Sequence, residues 1–239
     1  MTTLHTTSDR SADALPTSWQ RLPALSGIAF AVLLLVGFFI SGSDAPDYTA
    51  TDQDWTNWAE ANQVKGRIGA LLTLIAGFVF LHFAGAVRRV LGDAESRARG
   101  SVHLTRVAFA GGLIGITGIA MAVITIAGAT AVGGVADPVV SKAVATTTVG
   151  PFLVAAMGFA ALLLAAGLIT LHTGVFPRWV GIVALLGGLA FFVTFFTLLV
   201  GPDTDSAFGY GFFVGFLTLA IWSIATSLAI YRSSAPAAV

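Results

Sequence analysis

The chain has 239 residues, of which 56% are hydrophobic and only 10% charged, with a mean hydropathy of +0.88. A soluble domain carries about 25% charged residues, so this composition lacks the polar coat of a water-facing globule. The formal net charge is zero, no like charges run together and cysteine is absent, which removes nucleic-acid binding through a basic surface, disulfides, thiolate metal sites and thiol catalysis.

In chain order, residues 1–21 are polar and read as a disordered cytoplasmic tail. Six apolar runs follow, at about 22–40, 69–91, 107–132, 144–171, 179–200 and 209–231, each of transmembrane length. None alternates polar with apolar residues, as a lipid-facing barrel strand would. The fold class is therefore all-α: a polytopic bundle of six spans within 22–232, ending in a short tail, 233–239. The first run reads as a retained anchor, because cleavage after Ala45 in "SGSDAPD" would leave Pro46 as the first residue.

Between the first two runs lies "TDQDWTNWAEANQVKGRIGA". Residues 51–54 have the form of a capping box, with Asp54 in place of the usual Glu. Trp55, Trp58, Ala61 and Val64 recur every three residues and lead into Ile68 and Leu71 on the same helical face. This predicts an amphipathic segment over 51–65 at the outer surface, with the tryptophans at headgroup level. A second reading lays it over the mouth of the bundle, where Asp54, Trp55, Asn57, Trp58 and Glu60 contribute to a ligand or interface site.

Basic residues set the orientation. Nine fall on one side (Arg10, Arg21, Arg88, Arg89, Arg97, Arg99, Arg106, Arg178 and Arg232) and three on the other (Lys65, Arg67 and Lys142). Both termini are thus expected in the cytoplasm. Arg88, Arg89, Arg97, Arg99, Arg106 and Arg178 are candidates for contact with anionic lipid or a partner protein. The simpler reading makes them orientation charge, partly paired with Asp93 and Glu95.

Local signals mark the helix ends. Gly92 and Gly174 are candidate left-handed caps, and Asp137-Pro138 and Pro177 suit helix starts. Pro151, inside the fourth run, should kink its helix. Gly111 with Gly115, Gly211 with Gly215, and Gly187-Gly188 offer close-packing faces. These serve either the monomer's own bundle or a homodimer, and internal packing is the preferred reading.

Charge at membrane depth usually marks an ion path, and no Asp, Glu, Lys or Arg falls deep in a run. The one deep titratable residue is His82. It is either a satisfied packing histidine or part of an intramembrane polar site with Thr147 and Pro151. Haem would need a second histidine at matching depth, and His103 and His172 are placed nearer the ends. No G-x-S-x-G turn or paired intramembrane acids occur, so neither catalysis nor a cofactor is expected.

A polar outer segment leading into "GALLTLIAGFVFLHFAGAVRRVLGDAE", with "TGVFPRWVG" between the fourth and fifth runs, resembles a group of uncharacterised six-helix integral membrane proteins of the actinobacterial type. The resemblance covers most of the membrane part. It implies a bacterial inner-membrane location and carries over no catalytic or binding residue. The leading expectation is a non-enzymatic multi-pass protein acting through lipids or a partner protein. The alternative is a small permease for a neutral or apolar solute.

Overall fold

The computed structural model describes residues 17–42, 44–132, 137–200 and 207–233, and every regular element among them is a helix. In order these are α1 (Thr17–Gly42), α2 (Asp52–Ala61), α3 (Gln63–Arg99), α4 (His103–Val132), α5 (Pro138–Thr146), α6 (Val149–Thr173) and α7 (Arg178–Val193). A 3-10 turn (Thr194–Phe196), α8 (Thr197–Val200) and α9 (Ala207–Ser233) complete them. Readings that fall on residues 1–16 and 234–239, including Arg10, lie outside the described residues.

Among the described residues, five helical stretches are long and apolar enough to cross a membrane: α3, α4, α5 with α6, α7 continued to Leu199, and Tyr210–Ser233 of α9. The apolar stretch described within α1, Leu25–Ser41, is shorter. Helices suit this composition because each satisfies its own backbone hydrogen bonds without water.

The long helices form a closed ring in which α1 packs on α3, α3 on α4, α4 on α6, α6 on α7, α7 on α9, and α9 on α1. Glycine sets the closest crossing. A Cβ on Gly158 would lie 2.1 Å from the backbone nitrogen of Gly115, and one on Gly111 would lie 2.6 Å from the carbonyl of Gly158. Gly187 faces Thr218, and Gly211 faces Ala190 and Thr194. These glycine faces are thus occupied by the chain's own helices. The arginines of the α3–α4 turn, Arg178 and Arg232 gather at one end of the ring, and α2 lies at the other.

Several helix boundaries differ from those expected. α3 runs through Gly92, which packs toward Thr105 of α4, and ends at Gly100, whose φ of 64° makes the left-handed cap. The fourth span is interrupted at Thr147-Thr148, upstream of Pro151. Proline has no N–H for the carbonyl four residues back and crowds it. The Thr147 and Thr148 hydroxyls meanwhile bond the Val144 and Ala145 carbonyls at 2.6 and 2.8 Å. Pro151 therefore sits in the first turn of a new helix, where proline is tolerated. The starts at Asp137, whose carboxylate accepts from the Val139 amide at 2.9 Å, and the cap at Gly174 (φ 68°) are as expected.

Candidate functional site

The segment between α1 and α3 folds as a lid. The capping box forms: the Asp54 amide donates to the Thr51 hydroxyl at 3.2 Å, and the Thr51 amide donates to the Asp54 carboxylate at 3.1 Å. The Thr51 hydroxyl and then its amide hold the Asp54 carboxyl below its usual pKa. α2 does not continue straight into α3. The Asn62 side chain donates to the Trp58 carbonyl at 3.0 Å, its backbone leaves helical geometry (φ −112°, ψ 15°), and the chain restarts in a new direction.

The single apolar face expected from Trp55 to Leu71 is therefore split. Val64, Ile68 and Leu71 are exposed on the outside of the ring, whereas Trp55 and Trp58 are buried beneath the lid at 5% and 8% exposure. The tryptophans pack with Tyr48, Ala59, Ala129 and Ala145 rather than lying at a surface. Asp54, Asn57 and Glu60 point the other way and are exposed.

Two polar tethers fix the lid. The Trp58 indole donates to Asp44 at 3.2 Å. Lys142 of α5 donates to the Ala50 carbonyl at 2.8 Å and lies 3.3 Å from Asp52. Burial raises the pKa of the Tyr48 phenol, with the neighbouring Thr148 hydroxyl pulling in the opposite direction.

Under the lid lies a cavity of about 560 Å³. Its wall is aromatic and aliphatic: Phe38, Phe152, Phe212, Phe213 and Phe216 join Leu34, Ile119, Val123, Leu153 and the two lid tryptophans. Hydroxyls of Ser41, Tyr48, Thr73, Thr148, Thr194, Thr197 and Tyr210 interrupt it, and among the described residues no charged side chain lines it. The two irregular backbone stretches, 147–148 and Thr194–Phe196, both border it.

The floor is closed. Phe30, Phe80, Phe83, Phe159, Phe191 and Trp222 are each at most 1% exposed. They form a connected aromatic layer, with ring centroids 4.8 Å apart for Phe30–Phe80, 5.6 Å for Phe159–Phe191 and 5.7 Å for Phe83–Trp222. Below it, beside Trp222, only about 10 Å³ is open, room for about one water.

The other sequence candidates lie elsewhere. His82 is exposed on the outer face of α3, its ring 5.3 Å from Phe78, and Thr147 is exposed. Neither they nor Pro151 line the cavity. Arg88, Arg89, Arg97, Arg99, Arg106 and Arg178 are exposed, with Arg88 4.9 Å from the centroid of the Phe109 ring.

Among the described residues none of these arginines makes an ion pair with Asp93 or Glu95. Glu95 is instead buried, at 1% exposure, against the start of α4. It accepts from the Leu104 amide at 3.0 Å, the Thr105 amide at 2.8 Å and the Thr105 hydroxyl at 2.7 Å. A carboxylate there meets unpaired amides and the positive end of the helix dipole.

Burial opposes ionisation of Glu95, but the bonds from Thr105 and Leu104 and the charge of Arg99 together hold its pKa below the ordinary 4.5. A lowered pKa contributes stability that is present above 4.5 and is lost as pH falls through the folded-state value. Glu95→Gln should therefore cost about 1.5–3 kcal/mol near neutral pH and flatten the acid side of a thermal-unfolding profile in detergent. An unchanged profile would remove Glu95 from this role.

The cavity's phenylalanines and Tyr48 are candidate site residues that sequence reading missed. Their clustering at the lid-side ends of the runs ("GFFI", "PFLV", "YGFFVGF") was the available signal. No protein-family model, curated protein or solved structure matches the chain, so the lidded aromatic cavity stands as the description of its site.

Proposed function

We propose that the chain is a six-span protein of a bacterial cytoplasmic membrane and holds an apolar, lipid-derived molecule in the lidded cavity without chemically changing it. α1 serves as the sixth span, since it closes the ring between α3 and α9. Both termini lie in the cytoplasm, because the arginine-rich end is the expected inner side. Contact with lipid is in this reading a specific occupancy, and no catalytic group is required for it.

The observation that carries the reading is the cavity itself. About 560 Å³ lined mainly by aromatic and aliphatic side chains falls within the roughly 300–1,000 Å³ of small-molecule sites. An unfilled apolar space of that size forfeits dispersion contacts along its whole lining. An occupant of matching chemistry restores them.

A second reading, a permease for a neutral or apolar solute, draws support from the interrupted helices beside the cavity. Broken helices at a bundle interior are a device of transporters. It requires the layer around Phe80 and Trp222 to part.

The test is to purify the protein from its own membranes, extract it with organic solvent and identify what is released by mass spectrometry. The expected result is one apolar species enriched over bulk lipid at a stoichiometric level. Release of bulk lipids in their bulk proportions would count against the reading. Flux of the identified species across proteoliposomes, relative to protein-free vesicles, then separates carriage from holding.

A further inference from the structure

The cavity is open on one side, and the lining residues that are also exposed show which. Among the described residues these are Phe39 at the end of α1, Ala45 just beyond it, and Tyr210 and Phe213 at the start of α9. The lining residues of α3 to α6, the 3-10 turn and α8 are buried or half-buried, and Trp55 and Trp58 of the lid are buried. The opening therefore lies between α1 and α9.

Packing explains the gap. Toward the arginine end the two helices touch. Gly27 of α1 lies against Ser227 of α9, and the Phe38 and Phe216 ring centroids are 4.9 Å apart. On the lid side of that pair each helix closes on its other neighbour. α1 is drawn to α3, where a Cβ on Gly69 would lie 2.8 Å from the Ser41 amide nitrogen. α9 is drawn to α7, where a Cβ on Gly211 would lie 2.9 Å from the Ala190 carbonyl oxygen. Close backbone contact of this kind holds helices together in lipid, so the two crossings pull α1 and α9 apart.

The opening faces sideways. Phe39 continues the exposed stripe of Val32 and Val36 along α1, and Tyr210 and Phe213 begin that of Val214, Ile221 and Leu228 along α9. Broad apolar faces on the outside of the ring suit hydrocarbon rather than water. The lid is different: its Asp54 and Glu60 are exposed, and Asp44 and Lys142 tie it down. A molecule dissolved in the bilayer meets the side opening directly. Through the lid it would have to cross water and break the tethers.

We propose that the cavity fills from the bilayer, through the side opening between Phe39 of α1 and Phe213 of α9, while the lid stays shut. This rests on the cavity reading above and specifies the route to it. The ligands it admits are apolar molecules dissolved in the lid-side leaflet.

The test exploits the absence of cysteine from the chain, since introduced pairs then react alone. One variant combines Phe39→Cys with Phe213→Cys across the opening. Another combines Asp52→Cys with Lys142→Cys, whose native side chains lie 3.3 Å apart, to lock the lid. Each pair is bridged by a bis-methanethiosulfonate reagent, which a reductant cleaves, and the bridge is verified by mass. The full chain in lipid vesicles is given tritiated hexadecane, and label that stays with the protein through gel filtration is followed over time. Leu153→Trp, with its cavity filled, is the blank.

The bridge from 39 to 213 should slow uptake at least about ten-fold, as a rate-setting gate would. Reduction should restore it, which also shows that the variant folds and binds. The lid bridge should leave uptake at the unbridged rate. Uptake that the 39–213 bridge does not slow, uptake that the lid bridge slows, or failure of the reagent to span 39 and 213 would overturn the side route and leave the cavity reading standing. Wild-type uptake no greater than that of Leu153→Trp would overturn both.

Discussion

Gly158→Val should abolish the recovery of folded protein in mild detergent, and Gly158→Ala should lower its melting temperature markedly. The α4–α6 crossing has no slack at this point: even a methyl carbon at Gly158 would stand 2.1 Å from the Gly115 nitrogen and 2.5 Å from the Gly111 carbonyl oxygen. Both contacts are backbone, so no side chain can rotate away and the two helices must separate. Overpacking of this kind costs about 1–3 kcal/mol and at times more. It falls on an interface that association in lipid builds from close backbone packing. Gly85→Ala is the matched control, because nothing lies within 4 Å of a Cβ at Gly85. Its unfolding curve should be unchanged or shifted slightly upward, as expected from the better helix propensity of alanine. If Gly158→Ala unfolds with wild-type stability, the crossing is not as described.

Leu153→Trp should empty the cavity without unfolding the bundle. Leu153 is a half-buried residue of the cavity wall on α6, so an indole there projects into open space rather than into packed neighbours. The species released from wild type should fall at least about ten-fold in the variant, a loss of about 1.4 kcal/mol of binding, while thermal stability remains comparable. Retention of the species at the wild-type level would place it on the outer lipid-facing surface of the helices. The same substitution at a packed position such as Phe159, which is fully buried, would be expected to disrupt the core.

The parts of the architecture written in local chemistry are the parts a sequence reveals. The long apolar runs, the Thr51–Asp54 capping box, the Asp137-Pro138 start and the Gly174 cap depend on residues within a turn of one another. The misplaced boundaries depend on partners distant in the chain. Gly92 stays helical because α3 must continue far enough for Glu95 to reach the first turn of α4. Residues 55 to 71 read as one stripe until Asn62 folds its side chain back on Trp58 and turns the chain.

The cavity is legible only from the ring. Phe38, Phe152 and Phe212 come from three helices, and nothing in their local spacing shows that they face a common space under Trp55. His82 fails in the opposite sense. A lone titratable residue stands out in an apolar run, yet a single helix carries no information about which of its faces the neighbours will cover.

The most direct test of the central claim is an electron cryo-microscopy map of the protein in nanodiscs made from its native membrane lipids. The account predicts a continuous elongated density beneath α2, reaching from Trp55 to Phe216, that matches no protein atom. A map in which the lid tryptophans and the surrounding phenylalanines close on one another and leave no such space would contradict it.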